Sequence, residues 1–206
     1  MFSPRWIITF AVLTTLPNIA SAHLVSTRFG DYYSGLMHPL VALAHVVPWL
    51  ALGLLGALQG PATARWALLS FPLAVMLGSL LGTYLPELSW INSLNLASIA
   101  LIGLLVALAM RLPPSFFIAV TALFGVSHGF TNDATTLFGS NRLLYIIGVG
   151  SAAYLLIALV TASATALRQR TQWGEIVLRA VGSWIVAVGI LFGGYTVLIA
   201  PGALVH

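Results

Sequence analysis

Apolar runs of about twenty residues recur along this 206-residue chain, and they restrict what it can fold into. Each run is near the length that an α-helix needs to cross the ~30 Å hydrocarbon core of a membrane. Helices satisfy their own backbone polar groups, as lipid requires. We therefore predict an all-α, polytopic membrane protein with a six-transmembrane-helix bundle, its spans lying near residues 36–58, 64–84, 91–110, 114–132, 142–167 and 176–200.

The composition supports this class and excludes others. Hydrophobic residues make up 60% of the chain and charged residues 6%, whereas about a quarter of the residues of soluble domains are charged. The basic residues are all arginines at the ends of apolar runs. This distribution is a topology signal and argues against nucleic-acid binding. Because the chain has no cysteine, thiolate metal ligands and disulfides are excluded.

The first 22 residues have the pattern of a secretory signal peptide. Arg5 precedes a short apolar segment, and Ala20-Ser21-Ala22 resembles a cleavage site. An uncleaved first membrane helix is the alternative. We expect residues 1–22 to be removed, which leaves a six-helix transmembrane domain at 23–206 and makes His23 the new amino terminus.

The arginines also predict the orientation of the bundle. With residue 23 outside, the predicted cytoplasmic connections contain five arginines and the predicted outer segments contain two, which agrees with the positive-inside rule. Residues 23–34 are then a polar extracytoplasmic segment. The five are Arg65, Arg111, Arg168, Arg170 and Arg179, and the two are Arg28 and Arg142.

Glycines and prolines within the runs suggest how the helices pack. Glycines four residues apart allow membrane helices to approach closely, as at Gly78/Gly82 and Gly189/Gly193. Prolines are expected to kink or interrupt helices, at positions 39, 48 and 72.

Histidines within the apolar runs are the strongest functional signal, because an ionisable residue inside a membrane is costly. His38 and His45 share a helix face and are expected to lie about 10 Å apart along it. His128 is expected near the depth of His45, with Asn132 and Asp133 further out. The alternatives are that each histidine only bonds a neighbouring helix, or that the two polar residues only form a turn.

Neutral imidazole suits nickel, copper and zinc, and carboxylate and amide oxygens add harder ligands. At the outer entrance, the amino group and ring of His23 can chelate one ion together. A metal hydrolase is disfavoured because no obvious carboxylate base lies beside the histidines. The candidate metal ligands are His23, Asp31, His38, His45, His128, Asn132 and Asp133, whereas His206 is interpreted as a solvated terminus.

Two short motifs resemble the HupE/UreJ family of bacterial inner-membrane proteins. They are the Gly35-Leu36-Met37-His38-Pro39 stretch with His45 seven residues on, and Ser127-His128-Gly129. Family members are associated with hydrogenase and urease operons and are regarded as nickel permeases. The resemblance implies a non-enzymatic protein of the inner membrane with a periplasmic mature amino terminus, the lipid bilayer as its surroundings and metalloenzyme maturation proteins as partners.

The chain departs from the family motifs at three positions. Ala44 stands where the first motif has aspartate, and Phe124 and Thr131 stand where the second motif has histidine and glutamate. Asn132 or Asp133 can supply the missing oxygen ligand.

The leading hypothesis is a permease-like protein that binds and imports a divalent transition metal ion. Nickel is the ion that the resemblance favours, and copper, cobalt and zinc are the alternatives. His23 and Asp31 capture the ion, and the inner histidines pass it on. The alternative is an accessory protein that holds copper or nickel at the periplasmic face without transporting it. No ATP-binding loop is present in the sequence, which disfavours active pumping.

Overall fold

The computed structural model describes residues 22–132 and 139–198, with side chains over 30–132, 139 and 141–194. These residues form seven α-helices and no strand. The helices are α1 (Ala22–Val41), α2 (Leu43–Gln59), α3 (Pro61–Tyr84), α4 (Ile91–Ala107), α5 (Pro114–Phe130), α6 (Ser140–Arg170) and α7 (Gly174–Leu198).

Three helices within the described residues, α3, α6 and α7, are long and apolar enough to cross a membrane, and the bent pair α1–α2 makes a fourth if it counts as one span. The apolar helices α4 and α5 have 17 residues each, which corresponds to about 25 Å. Each predicted run after the first contains one helix, with bounds that differ by at most three residues. Six crossings therefore remain a prediction.

The first predicted run, residues 36–58, is not one straight helix as expected. Ala42 has extended backbone angles (φ −92°, ψ 109°), and the axes of residues 30–41 and α2 differ by 77°. Pro39 and Pro48 flank this break, and each removes a hydrogen bond from the helical ladder. In contrast, α2 continues through Pro48 and α3 continues through Pro72, so these two prolines do not interrupt their helices.

The predicted extracytoplasmic segment, residues 23–34, is also helical. It bends at Gly30, whose backbone (φ 75°, ψ 169°) leaves the helical region. Positive φ values are readily adopted only by glycine. The bend therefore separates the first turns of α1 from the part that carries His38.

The central helix is α2, which contacts all six other helices. Its residues Trp49, Leu52 and Leu55 are completely buried. Around it, the most extensive contacts are within the pairs α3/α5, α4/α7 and α1/α6. The fold is thus a bundle of three helix pairs around one apolar helix.

Glycines produce the closest approach of α3 and α5. A side-chain carbon on Gly78 or Gly82 would overlap the backbone of α5, and one on Gly129 would overlap the carbonyl oxygen of Val75. Gly125 lies against Phe71 in the same register, so the two helices run in the same direction. The predicted close approach holds for Gly189, which packs on Ala100, whereas a side-chain carbon on Gly193 would meet no atom of the described residues within 4 Å.

Polar side chains cap the carboxyl ends of α2 and α4. Arg168 Nη1 donates to the carbonyl of Ala57 over 2.7 Å, and Arg179 Nε donates to that of Ala107 over 3.0 Å. A positive charge is favourable at this end of a helix. These contacts fix the end of the bundle that the arginine pattern predicts to be cytoplasmic.

Gln59, the last residue of α2, ties this helix to the α4–α5 connection. Its Nε2 donates to the Met110 carbonyl over 2.9 Å, and its Oε1 accepts from the Leu112 backbone N–H over 2.8 Å.

Candidate metal site

Three histidines from three helices lie in a row inside the bundle. The ring centroids of His38 on α1 and His45 on α2 are 5.8 Å apart, and those of His45 and His128 on α5 are 6.1 Å apart. The expected separation of about 10 Å between His38 and His45 assumed a straight helix and is wrong. Because the chain bends by 77° at Ala42, the rings of His38 and His45 lie close together.

The spacing of the rings allows one metal ion between each pair of neighbours. An imidazole nitrogen binds zinc at about 2.0 Å, which puts the ion about 3.2 Å from the ring centroid and two such rings at most about 6.4 Å apart. Both observed separations are within this limit. Among the described residues, however, no three histidine or acidic side chains form a group that could hold one ion. The row therefore offers two successive positions for an ion, each with two imidazole ligands.

Two of these rings have a buried nitrogen without a partner. The side chain of His45 is 8% exposed and that of His128 is 1% exposed, and their Nδ1 atoms have no hydrogen-bond partner within the described part of the chain. An unsatisfied buried polar atom costs about 1–3 kcal/mol. A metal ion bound at these nitrogens would satisfy them.

Polar residues of α4 surround His128 on the side opposite its free nitrogen. Ser98 Oγ lies 3.1 Å from His128 Nε2. Asn95 Nδ2 donates to the Ser127 carbonyl and to Thr131 Oγ1, both over 3.1 Å. Sequence reasoning did not single out these α4 residues. The available signal was the three-residue spacing of polar side chains in the third apolar run, Asn92, Asn95 and Ser98.

Asn132 is completely enclosed beside the same turn of α5. It is 1% exposed, and its Nδ2 donates to the His128 carbonyl over 2.8 Å. A carbonyl oxygen can only accept, so the amide must point its nitrogen there. Its Oδ1 is buried and has no partner among residues 22–132 and 139–198, so it is a candidate hard ligand.

Of the predicted ligands outside this group, Asp31 alone has a side chain that the structure describes. Asp31 is half-buried on α1, one residue beyond the bend at Gly30, and forms no three-ligand group with the histidines. His23 lies in the first turn of α1, but its side chain is outside the described part of the chain. Asp133 and His206 lie outside the described residues altogether.

Three aromatic side chains pack together at one end of the histidine row. We call this cluster the aromatic floor; it consists of Trp49, Phe71 and Phe124. Phe124 packs 4.2 Å from His128 between ring centroids, and Trp49 packs 6.0 Å from His45. Phe71 contacts both, at 5.4 Å from Trp49 and 5.8 Å from Phe124. Trp49 and Phe124 lie one helical turn from the histidines, on the side that the arginines predict to be cytoplasmic.

Comparison with known proteins gives matches over most of the chain. The family model described as HupE / UreJ protein matches residues 11–192. Protein HupE of Rhizobium leguminosarum bv. viciae is 28% identical over 182 residues, which cover 88% of this chain and 93% of that protein. No solved structure matches the chain.

Proposed function

This chain belongs to the HupE/UreJ family, and from this premise we propose that it binds a divalent transition metal ion in the membrane and imports it. Proteins of the family are accessory or transport proteins and not enzymes. Nickel is the proposed ion, because the family resemblance points to it and imidazole ligands suit it. Copper, cobalt and zinc are the alternatives, because imidazole nitrogens also bind these ions.

The observation that carries the proposal is the row of three imidazoles. His38, His45 and His128 come from three different helices, yet successive ring centroids are only 5.8 and 6.1 Å apart. An ion held by the first pair can reach the second by exchanging one ligand, because His45 belongs to both pairs. This sharing suits a moving ion better than a permanently bound one.

The proposed path begins at the periplasmic face of the bacterial inner membrane. His23, exposed there by cleavage of the signal peptide, and Asp31 capture the ion. Asp133 assists His38, and Asn132 supplies an amide oxygen near His128. The six-span topology and periplasmic mature amino terminus belong to this proposal, as do maturation proteins of hydrogenase or urease as receivers of the ion.

The membrane potential can drive this import. A single charge gains about 2.3 kcal/mol per 100 mV on moving to the negative side, so a divalent ion gains about 4.6 kcal/mol. A pathway that delivers the ion needs no energy source of its own under these conditions.

The aromatic floor favours a second function, in which the chain holds copper or nickel at the periplasmic face for a partner. Trp49 and Phe71 are completely buried and Phe124 is 5% exposed. An ion bound by His45 and His128 therefore meets closely packed apolar rings on its inward side. Import requires these rings to move, whereas storage and delivery do not.

Metal analysis combined with ion flux separates these possibilities. Purified protein is loaded with Ni²⁺, and uptake of Ni²⁺ into sealed vesicles is measured for the wild type, His45→Ala and His128→Ala. His206→Ala is the control, since it removes a histidine predicted to be a solvated terminus. Uptake lost in the first two variants alone supports the permease, and tight binding without uptake supports the accessory protein. If the wild type binds no transition metal, both functions are refuted.

A further inference from the structure

We propose that Ser98 is a positioning residue that fixes the tautomer of His128 and thereby makes Nδ1 the nitrogen that binds the metal ion. The metal part of this inference rests on the function proposed above. The tautomer part depends only on the hydrogen bonds of α4 and α5, and it can be tested without any metal.

Counting hydrogens determines which group donates. Ser98 Oγ lies 2.5 Å from the Asn95 carbonyl oxygen, and a carbonyl oxygen can only accept, so the single hydroxyl hydrogen of Ser98 is used there. Toward His128 Nε2, 3.1 Å away, the hydroxyl can therefore offer only a lone pair. It follows that Nε2 carries a hydrogen and donates it to Ser98.

A neutral imidazole carries one hydrogen in total. With that hydrogen on Nε2, His128 Nδ1 has a bare lone pair, which is the form that binds a metal ion. A doubly protonated ring would bury a charge with no acidic partner among the described residues, at a large cost in free energy.

The position of Nδ1 supports its assignment as the ligand. It is buried without a hydrogen-bond partner, as is Nδ1 of His45, whose ring centroid is 6.1 Å away. Metal-binding histidines in proteins almost always donate their other ring N–H to a neighbouring group. In this chain the Ser98 hydroxyl is the group that accepts the second ring N–H of His128.

Asn95 holds Ser98 in place for this purpose. Its Nδ2 bonds to the Ser127 carbonyl and the Thr131 hydroxyl, which flank His128 in sequence and fasten α4 to the last turn of α5. Its own carbonyl receives the Ser98 hydroxyl. Asn95 and Ser98 act together, since Asn95 fixes the distance between α4 and α5 and Ser98 fixes the position of the ring proton of His128.

The test begins with the metal-free full chain, labelled with ¹⁵N-histidine, in lipid vesicles. Solid-state NMR reads which ring nitrogen carries hydrogen, and the His128 signal is identified by its loss in His128→Gln. We expect hydrogen on Nε2 alone in the wild type and a mixture of both tautomers in Ser98→Ala. Ser98→Thr should restore the wild-type pattern, because a threonine hydroxyl can also bond to a backbone carbonyl one turn back. Hydrogen on Nδ1 in the wild type, or no change in Ser98→Ala, overturns the proposal.

The matched control is Ser79→Ala, the same substitution at a fully buried serine of α3 whose hydroxyl has no hydrogen-bond partner. It should leave the His128 tautomer unchanged. A mixture of tautomers in this variant as well would show a general packing effect and overturn the role of Ser98.

Zn²⁺, which is not paramagnetic, then tests the metal part. It should shift His128 Nδ1 and not Nε2, and Ser98→Ala should weaken Zn²⁺ binding about 10–100-fold, with Ser98→Thr close to the wild type. Zn²⁺ bound through Nε2 overturns the assignment of Nδ1. If no Zn²⁺ or Ni²⁺ binds while the tautomer is as expected, the proposed function and the metal role of Nδ1 fail, and the tautomer role of Ser98 stands.

Discussion

Replacing Gly129 by alanine tests whether the close approach of α3 and α5 positions the histidine row. A side-chain carbon at Gly129 lies 2.8 Å from the carbonyl carbon of Val75, whereas ordinary contacts begin at 3.4 Å. The helices must therefore separate by at least about 0.6 Å, the difference between these distances. Overpacking of this kind costs about 1–3 kcal/mol, partly offset by the higher helix propensity of alanine, up to about 1 kcal/mol. We expect a net loss of up to about 3 kcal/mol in the free energy of unfolding.

The same shift moves His128, the neighbour of Gly129, relative to His45. Binding sites tolerate displacements of only about 0.5 Å, so we expect Ni²⁺ affinity to fall at least about tenfold, or 1.4 kcal/mol. Thermal unfolding in detergent and isothermal titration calorimetry measure the two effects. Gly194→Ala is the control, since a side-chain carbon there meets no atom of the described residues within 4 Å, and it should be neutral or stabilising. Wild-type stability and affinity in Gly129→Ala would refute the reasoning.

Three further substitutions probe the site and its frame. Phe124→His supplies an imidazole one turn from His128, a spacing at which two histidines bind zinc, and calorimetry should show Zn²⁺ binding at least about tenfold tighter; unchanged affinity would contradict this. Gln59→Ala removes the bonds to the half-buried Leu112 N–H and the exposed Met110 carbonyl and should lower the free energy of unfolding by about 0.5–1.5 kcal/mol without changing metal affinity, as thermal unfolding and calorimetry check. Thr161→Val removes the bond to the Gly53 carbonyl, and a loss near 0.6 kcal/mol is expected for such an interhelical bond; a loss above about 2 kcal/mol in the same unfolding assay would show that the bond matters far more than expected.

The fold was predictable from sequence where length and hydropathy decide it. The bounds of α3 to α7 agree with the apolar runs to within a few residues, because a helix is the simplest way for an apolar segment to satisfy its backbone. The break at Ala42 was not predictable in position. Three prolines lie within the first two runs, and only packing against the rest of the bundle decides which of them accompanies a break.

The histidines of the candidate site could be named from the sequence, whereas the residues around them could not. His45 and His128 stand out because buried ionisable groups are rare in apolar runs. Asn95 and Ser98 were missed, since a single amide or hydroxyl in a membrane helix is common and usually bonds to its own backbone. Their importance depends on the register between α4 and α5, which the sequence of either helix alone does not contain.

X-ray absorption spectroscopy of the Ni²⁺-loaded chain tests the central claim, metal binding by the histidine row, most directly. The account predicts an imidazole scattering signature with nitrogen ligands at about 2.0–2.1 Å, weakened by one imidazole in His45→Ala and in His128→Ala and unchanged in His206→Ala. Bound Ni²⁺ with no imidazole signature, or with a signature that both site variants leave intact, would contradict it.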